Sequence, residues 1–229
     1  MRVVSLVPSI TESLRAWGHD PIACTKYCEQ PDLATVGGTK NPDLAAIEAL
    51  SPDVVMLDRE ENRREDAEAL ADRGIEVFVT DVRRLDQVAT ELDRVATRIG
   101  LASQTSTWPD FSVSPDPGVD RRRVFVPIWR RPWMTIGAAT YGSTVLTWLG
   151  FDNIYGAPGD GAYPEVALDD VAARQPDLVL VPSEPYGFEA HHLDELRALA
   201  PVVEVDGQDL FWWGTRTPTA VERLRAAIG

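Results

Sequence analysis

Several ingredients are scarce in this chain of 229 residues, and each scarcity argues against a class of protein. Only two cysteines and three histidines occur, so neither a disulfide framework nor a clustered set of metal ligands is expected. No apolar run approaches the roughly 18 residues of a membrane-spanning helix. Basic residues are outnumbered 22 to 36, and the net charge of −14 argues against nucleic acid and anionic lipid as partners.

The few cysteines and histidines leave some readings open. Cys24 and Cys28 form a Cys-x3-Cys pair that is compatible with a disulfide, half of a metal site, or two free thiols, and free thiols are the interpretation we favour. His191 and His192 are adjacent, and adjacent residues of a helix point to different faces. We therefore expect no metal site built from side chains and no intrinsic cofactor.

Motifs of catalysis are also missing. The sequence contains no Gly-x-Ser-x-Gly, no phosphate-binding Gly-x4-Gly-Lys and no Gly-x-Gly-x-x-Gly. The paired carboxylates Glu60-Glu61 and Asp169-Asp170 lie in helical charge patterns typical of solvated faces. We therefore predict no catalytic residues and a protein that is not an enzyme.

The chain starts with a short β-rich segment that ends at Pro8. This segment is shorter than the apolar stretch of a secretion signal. As the sequence stands, we expect a cytoplasmic protein, or an extracytoplasmic one if a leader has been removed.

What the chain does have is an internal repeat. Residues 44–55 share their pattern of Leu, Ile or Val, Ala and Pro-Asp with residues 168–179, 124 positions later, and Arg2-Val3-Val4 returns as Arg123-Val124-Phe125. Each copy reads as a short amphipathic helix, a proline-aspartate break and a buried strand, which is the unit of an open α/β sheet. Two copies predict two similar α/β lobes with a ligand cleft between them.

The longest helical pattern lies between the repeats. Apolar residues recur with 3/4 spacing over residues 84–101, which predicts one long α-helix that joins the lobes. The expected organisation is an N-terminal lobe of residues 1–82, a backbone helix within 83–104, and a C-terminal lobe of 105–229. In the first lobe, Ser9 and Glu12 have the spacing of a capping box and predict a helix over residues 10–17.

Aromatic residues follow several predicted strands. Trp129 and Trp133 flank a loop after one strand, Tyr186 follows another, and Trp212 comes after a third. Loops at the carboxyl ends of parallel strands line the ligand crevice of α/β sheets. Packing between loops is the alternative role of these rings, but we predict that they contact a ligand.

The order of the motifs resembles that of the helical-backbone, class III substrate-binding proteins of ABC importers. The matching segments are Arg2 to Glu12, Gly37-Gly38 before Asn41-Pro42-Asp43-Leu44, Leu50-x-Pro52-Asp53-Val54-Val55, Trp129 to Gly137, Leu149 to Tyr155, and Trp212-Trp213-Gly214-x-Arg216. No single motif is specific, but their order and spacing together cover nearly the whole chain.

The resemblance implies a fold of two Rossmann-like lobes with central parallel sheets, bridged by one long helix. It also implies a small-molecule ligand of the cobalamin, haem or ferric siderophore type, which can carry its own metal in a chelator, and an ABC permease as partner. Tyr27 and Arg216 lie at positions where the family meets its ligand, and Met134, in the segment that matches the opening of the second lobe, is a further candidate ligand contact. Asp43 and Asp169 are the candidates for docking to the permease. We expect a monomer.

The chain also departs from the family pattern. Cobalamin binders of the family place tryptophans where this chain has Thr39 and Asp58, which weakens the cobalamin-specific interpretation. The first-lobe docking position aligns to Ala45, beside Asp43. A cytoplasmic carrier or sensor that no longer serves an importer is therefore an alternative hypothesis, and an enzyme on the same scaffold is a less favoured one.

Overall fold

The computed structural model describes residues 1–113 and 121–229. They divide into two compact units, of which unit 1 contains Met1–Asp81 and Ala89–Ser106, and unit 2 contains Val82–Val88 and Thr107–Gly229. In the described part of the chain, no helix has the length and apolar character needed to cross a membrane.

Unit 1 is built around a five-stranded parallel sheet with the strand order β3-β2-β1-β4-β5. Its core consists of apolar residues from the inner strands and the flanking helices, with Ile47 and Leu70 fully buried. The strands are β1 (Val3–Ser5), β2 (Ala23–Cys24), β3 (Ala34–Thr35), β4 (Val54–Asp58) and β5 (Val77–Thr80). The helices are α1 (Pro8–Ala16), α2 (Leu44–Ala49), α3 (Arg64–Asp72) and α4 (Val88–Arg98), of which α4 belongs to unit 1 from Ala89 onward.

Unit 2 has a four-stranded parallel sheet, β12-β11-β6-β9, and a three-stranded antiparallel sheet, β10-β8-β7. Its core includes Phe125, Val179 and Leu196. The strands are β6 (Arg122–Phe125), β7 (Pro127–Trp129), β8 (Trp133–Thr135), β9 (Phe151–Asn153), β10 (Glu165–Val166), β11 (Leu178–Pro182) and β12 (Val202–Val205). The helices are α5 (Tyr141–Trp148), α6 (Leu168–Ala173), α7 (Ala190–Arg197), α8 (Gly207–Phe211) and α9 (Thr217–Ile228).

The internal repeat has a structural cause. In unit 1 the Arg2 backbone N–H donates to the Asp53 carboxylate at 2.6 Å, and the Asp53 N–H donates to the Arg2 carbonyl at 2.8 Å. In unit 2 Arg123 and Asp177 make the same two bonds at 2.7 and 2.8 Å. Each aspartate thus aligns the entrance of two neighbouring parallel strands, which explains why the Pro-Asp break returns. The predicted α/β class with parallel sheets is confirmed.

Several predicted local elements are wrong in detail. The first helix begins at Pro8 rather than at residue 10, and no side chain caps its start. Proline suits this first position because its missing N–H has no helical acceptor there. The predicted loop from Trp129 to Trp133 is the turn of the β7–β8 hairpin, and α8 was not predicted.

The helical segment between the repeats is shorter than the predicted 84–101. A single 3₁₀ turn, Leu85–Gln87, leads into α4, which ends at Arg98. Leu92, Val95 and Ala96 of α4 are completely buried, as the 3/4 spacing predicts. The division into lobes and a separate backbone helix, and the cleft between the lobes, stay predictions.

Candidate functional site

The carboxyl ends of three parallel strands meet at one edge of the unit 2 sheet, as parallel strand directions require. β6 continues into β7, which ends at Trp129, β11 runs into residues 183–188, and β12 runs into α8. Hydrogen bonds join two of these connections: the Ser183 N–H donates to the Val205 carbonyl and the Gly207 N–H donates to Ser183 Oγ, both at 3.0 Å. The loops therefore form one continuous surface at this edge.

An aromatic cluster covers part of that surface, and we call it the aromatic wall. The Tyr186 ring lies 5.2 Å from Trp129 in an edge-to-face arrangement and 4.8 Å from Phe188. Trp133 stacks on Phe188 at 5.9 Å with an interplanar angle of 8°. The members of the wall are Trp129, Trp133, Tyr186, Phe188 and His192.

The wall combines exposure with rigidity. Trp129 is 44% exposed, while His192 at the base of the wall is buried. The Glu189 N–H donates to His192 Nδ1 at 2.9 Å, so Nε2 carries the ring proton, and burial lowers the pKa of His192 below its usual value. Each aromatic pair contributes about 0.5–1.5 kcal/mol beyond its buried area. The wall is therefore a preformed apolar surface with one ring open to solvent.

An arginine is fixed behind the wall. The Arg130 guanidinium lies 5.4 Å from the centre of the Trp133 ring and pairs with Glu195 of α7 at 2.6 Å. This pair ties the β7–β8 turn to α7 and orients Trp133. Met134 follows in β8, half-buried, where it pairs with Glu165 of β10.

Trp212 and Arg216 form a second group in unit 2, beyond α8. The Arg216 guanidinium carbon lies 5.2 Å from the centre of the Trp212 ring, and both side chains are half-buried. The ring and guanidinium together offer an apolar face beside a fixed hydrogen-bond donor for an anion.

Tyr27 of unit 1 follows β2 and is 52% exposed. Lys26 Nζ lies 5.0 Å from the centre of its ring. A Cβ at Gly38 would lie 3.1 Å from Tyr27 Cε2, so the absence of a side chain there lets the ring lie on the backbone. Gly38 thus leaves room for the Tyr27 ring, which is exposed to solvent.

The two positions where the sequence lacks the expected tryptophans hold buried polar groups. Thr39 and Asp58 are 9% and 4% exposed. Asn62 connects them, because its side-chain amide donates to the Thr39 carbonyl at 2.9 Å and its oxygen accepts from the Asp58 N–H at 2.8 Å. The Asp58 carboxylate accepts from the Glu60 N–H and from Thr80 Oγ1, both at 2.8 Å. This edge of unit 1 is a hydrogen-bonded polar turn at the positions of the expected rings.

Burial raises the pKa of Asp58 from 3.8 to about 6, even though three hydrogen bonds oppose the shift. A raised carboxyl pKa stabilises the fold most below pH 4, and this contribution is lost as the pH rises through 6. Asp58→Asn should therefore gain stability relative to the parent by up to about 3 kcal/mol between pH 4 and 7.5. Urea unfolding of both proteins at several pH values measures this difference, and a difference that does not change with pH would contradict the assignment.

The two predicted docking residues lie at the starts of helices that the repeat makes equivalent. Asp43 Oδ1 accepts from the Ala46 N–H at 3.0 Å and caps α2. Asp169 is exposed in the first turn of α6. The neighbouring Asp170 has a different role, since it accepts from the Tyr155 hydroxyl at 2.7 Å and pairs with Arg174. Both aspartates of α6 are exposed, but Asp170 is engaged by Tyr155 and Arg174.

Cys24 and Cys28 are free and buried, and burial raises the pKa of Cys24 to about 12. Within residues 1–113 and 121–229, no group of three or more His, Cys, Asp or Glu side chains is arranged to hold a metal ion. One expectation about the histidines is wrong: the rings of His191 and His192 lie 3.8 Å apart, although adjacent helical residues usually diverge. They lie in the first turn of α7, where the backbone N–H of Glu189 draws the His192 ring back.

Trp129, Trp133 and Tyr186, which the sequence predicts as site residues, lie together in the aromatic wall. The sequence did not predict Phe188 and His192, which complete the wall, or Asp209, which pairs with Arg216. The signal for Phe188 was its i+2 spacing from Tyr186 in the same connection. No local pattern marks His192 or Asp209, because their partners come from other segments.

Proteins similar to this chain include binding proteins for vitamin B12 and for heme. The vitamin B12-binding protein of Salmonella typhimurium is 28% identical over 191 residues, which cover 79% of this chain and 71% of the relative. No protein-family model matches the chain.

Solved structures extend the likeness over the whole chain. The periplasmic heme-binding protein of Roseiflexus in its apo form has a TM-score of 0.82 at 21% identity, covering 99% of this chain and 97% of that one. The periplasmic vitamin B12-binding protein of Vibrio cholerae has a TM-score of 0.74 at 19% identity, with coverage of 99% and 95%. The resemblance inferred from the order of the motifs is confirmed by these similarities.

Proposed function

Since the chain resembles the class III substrate-binding proteins of ABC importers in sequence and fold, we propose that it is a non-catalytic binding protein for a corrinoid, haem or ferric siderophore. The observation that carries the proposal is the aromatic wall at the carboxyl edge of the unit 2 sheet. The exposed Trp129 ring, which packs edge-to-face on Tyr186, offers a flat apolar face that suits a conjugated macrocycle.

The remaining predicted contacts are consistent with this role. Trp212 and Arg216 pair a ring with a cation, and Tyr27 presents an exposed ring from unit 1. We propose that all three contact the ligand, as do Trp133 and Met134. The buried Thr39 and Asp58 supply no ring faces, which favours a haem-type ligand over cobalamin.

For the importer partner, we propose that the exposed Asp169 meets a basic residue of the permease, with Asp43 as its counterpart in unit 1. Both begin short helices that the internal repeat relates. Two of the similar solved structures are described as periplasmic, and we propose the same location, outside the cytoplasm, for this protein. A carrier or sensor without a permease would retain ligand binding, so the two roles are distinguished by whether genes for an ABC permease and its ATPase lie beside the gene of this protein.

Titration with three ligands tests the proposal. Hemin, cyanocobalamin and a ferric catecholate siderophore are added separately while tryptophan emission is recorded. We expect at least one of them to quench the emission to saturation, because six of the seven tryptophans belong to unit 2 and three of these line the proposed site. N-acetyltryptophanamide at equal absorbance controls for inner-filter loss. Emission that falls only as it does in this control, for all three ligands, would refute the proposed function.

A further inference from the structure

The Arg216 guanidinium lies beside a buried carboxylate, that of Asp209. Asp209 of α8 is 3% exposed, yet it forms no part of the hydrophobic core. Its Oδ1 lies 3.5 Å from Arg216 Nη1, and the neighbouring Gln208 accepts from Arg216 Nη2 at 3.0 Å. A buried charge is retained only where partners compensate its desolvation, so this pairing is an integral part of the fold.

The same carboxylate has a second and shorter ion pair. Arg223 of α9 donates from Nε to Asp209 Oδ2 at 2.7 Å and from Nη2 to Oδ1 at 2.5 Å. The Arg223 side chain is 54% exposed, whereas that of Arg216 is 15% exposed. Arg223 thus pairs with the carboxylate from the solvent side, but Asp209 is already buried within α8. Asp209 and Gln208 lie on the other side, next to the guanidinium of Arg216 and the Trp212 ring.

We propose that Asp209 is a positioning residue that holds the Arg216 guanidinium against Trp212, so that the pair receives an anionic substituent at the edge of a flat ligand. This inference rests on the proposed function for its ligand, and it adds the chemical class of the edge group, a carboxylate. Arginine suits this task because its planar fork matches a carboxylate, and the guanidinium loses less entropy on binding when it is already oriented.

The first test needs no ligand. The Nε–Hε signal of Arg216 is observed by ¹⁵N–¹H NMR and assigned by its loss in Arg216→Lys. We expect the signal to be displaced from the position of free arginine by the ring current of Trp212. Asp209→Asn should return it towards the free position, whereas Arg223→Gln should leave it displaced. An unchanged signal in Asp209→Asn would overturn the inference whether or not the proposed function holds.

The second test measures affinity for hemin and for hemin dimethyl ester, which lacks the free carboxylates. Asp209→Asn and Arg216→Gln should each weaken hemin binding, and the loss for Asp209→Asn should be about fivefold to tenfold. The double variant should bind hemin no more weakly than Arg216→Gln alone. Affinity for the ester should change less than twofold in Asp209→Asn.

Arg223→Gln is the matched control for a merely structural role. It removes the shorter ion pair between α8 and α9 but leaves Asp209 facing Arg216. Hemin affinity within twofold of the parent is expected for this variant. An equal loss in Arg223→Gln and Asp209→Asn, or additive losses in the double variant, would mean that Asp209 only ties the helices together.

Discussion

Trp129→Ala should weaken ligand binding by about 30- to 150-fold, the largest loss of affinity expected from one side chain. An aromatic side chain can bury roughly 150–250 Å², and about half of that surface is open to a ligand because the indole is 44% exposed. At about 25 cal/mol per Å² the lost contact is worth about 2–3 kcal/mol. Stability should also fall, by at least the roughly 0.5–1.5 kcal/mol of the lost ring pair with Tyr186.

The measurement is a fluorescence or absorbance titration with whichever of the three test ligands saturates the parent protein. Trp129→Phe retains a smaller aromatic face, so its affinity for the ligand should fall less, by about five- to tenfold. Trp108→Ala is a matched control, since Trp108 packs on Phe111 in another aromatic group of unit 2. Parent-like affinity in Trp129→Ala would remove Trp129 from the site, and an equal loss in Trp108→Ala would indicate a general effect of losing an indole.

Phe125→Ala should destabilise unit 2 by about 3–5 kcal/mol, because a large, completely buried ring is replaced by a cavity in a packed core. The Phe125 ring lies 6.2 Å from Tyr155 and belongs to the same cluster as Val179 and Leu196. Strand β6 continues from this residue towards Trp129, so loosening the core also loosens the support of the wall.

Two probes report separately on the two cores. Trp17 is the only tryptophan of unit 1, so urea unfolding followed by tryptophan emission reports mainly on unit 2. Both cysteines lie buried in unit 1, so the rate of thiol labelling reports on that unit. In Phe125→Ala the emission midpoint should fall while labelling stays at the parent rate. Leu57→Ala, a completely buried core change in unit 1, is the matched control and should accelerate labelling.

If Phe125→Ala both lowers the emission midpoint and accelerates thiol labelling, the two cores unfold as one cooperative body. The expectation that they unfold separately is then wrong. An emission midpoint equal to that of the parent protein would instead mean that unit 2 repacks to fill the space left by the Phe125 ring. Either outcome contradicts the expected result.

The sequence by itself determined the α/β class, because buried strands and amphipathic helices differ in hydrophobic period, and period does not depend on distant partners. It also located the repeat, since Asp53 and Asp177 must lie one residue before a strand to accept from a backbone N–H at the start of the neighbouring strand, that of Arg2 or Arg123. The residues that mark the ends of helices predicted their exact bounds less well. At the first helix, Ser9 and Glu12 have a valid capping spacing, but Pro8 at the first helical position starts the helix earlier.

Only the tertiary structure decided which candidate side chains meet. The hairpin at Trp129 depends on pairing with β10 and on Thr135 donating to the Val126 carbonyl, and neither partner is visible from residues 129–133. The same holds for Phe188 stacking on Trp133 and for Asp209 beneath Arg216. Contacts between segments far apart in the chain depend on packing geometry and on the burial of charge, whereas periodicity and turn chemistry are properties of short stretches.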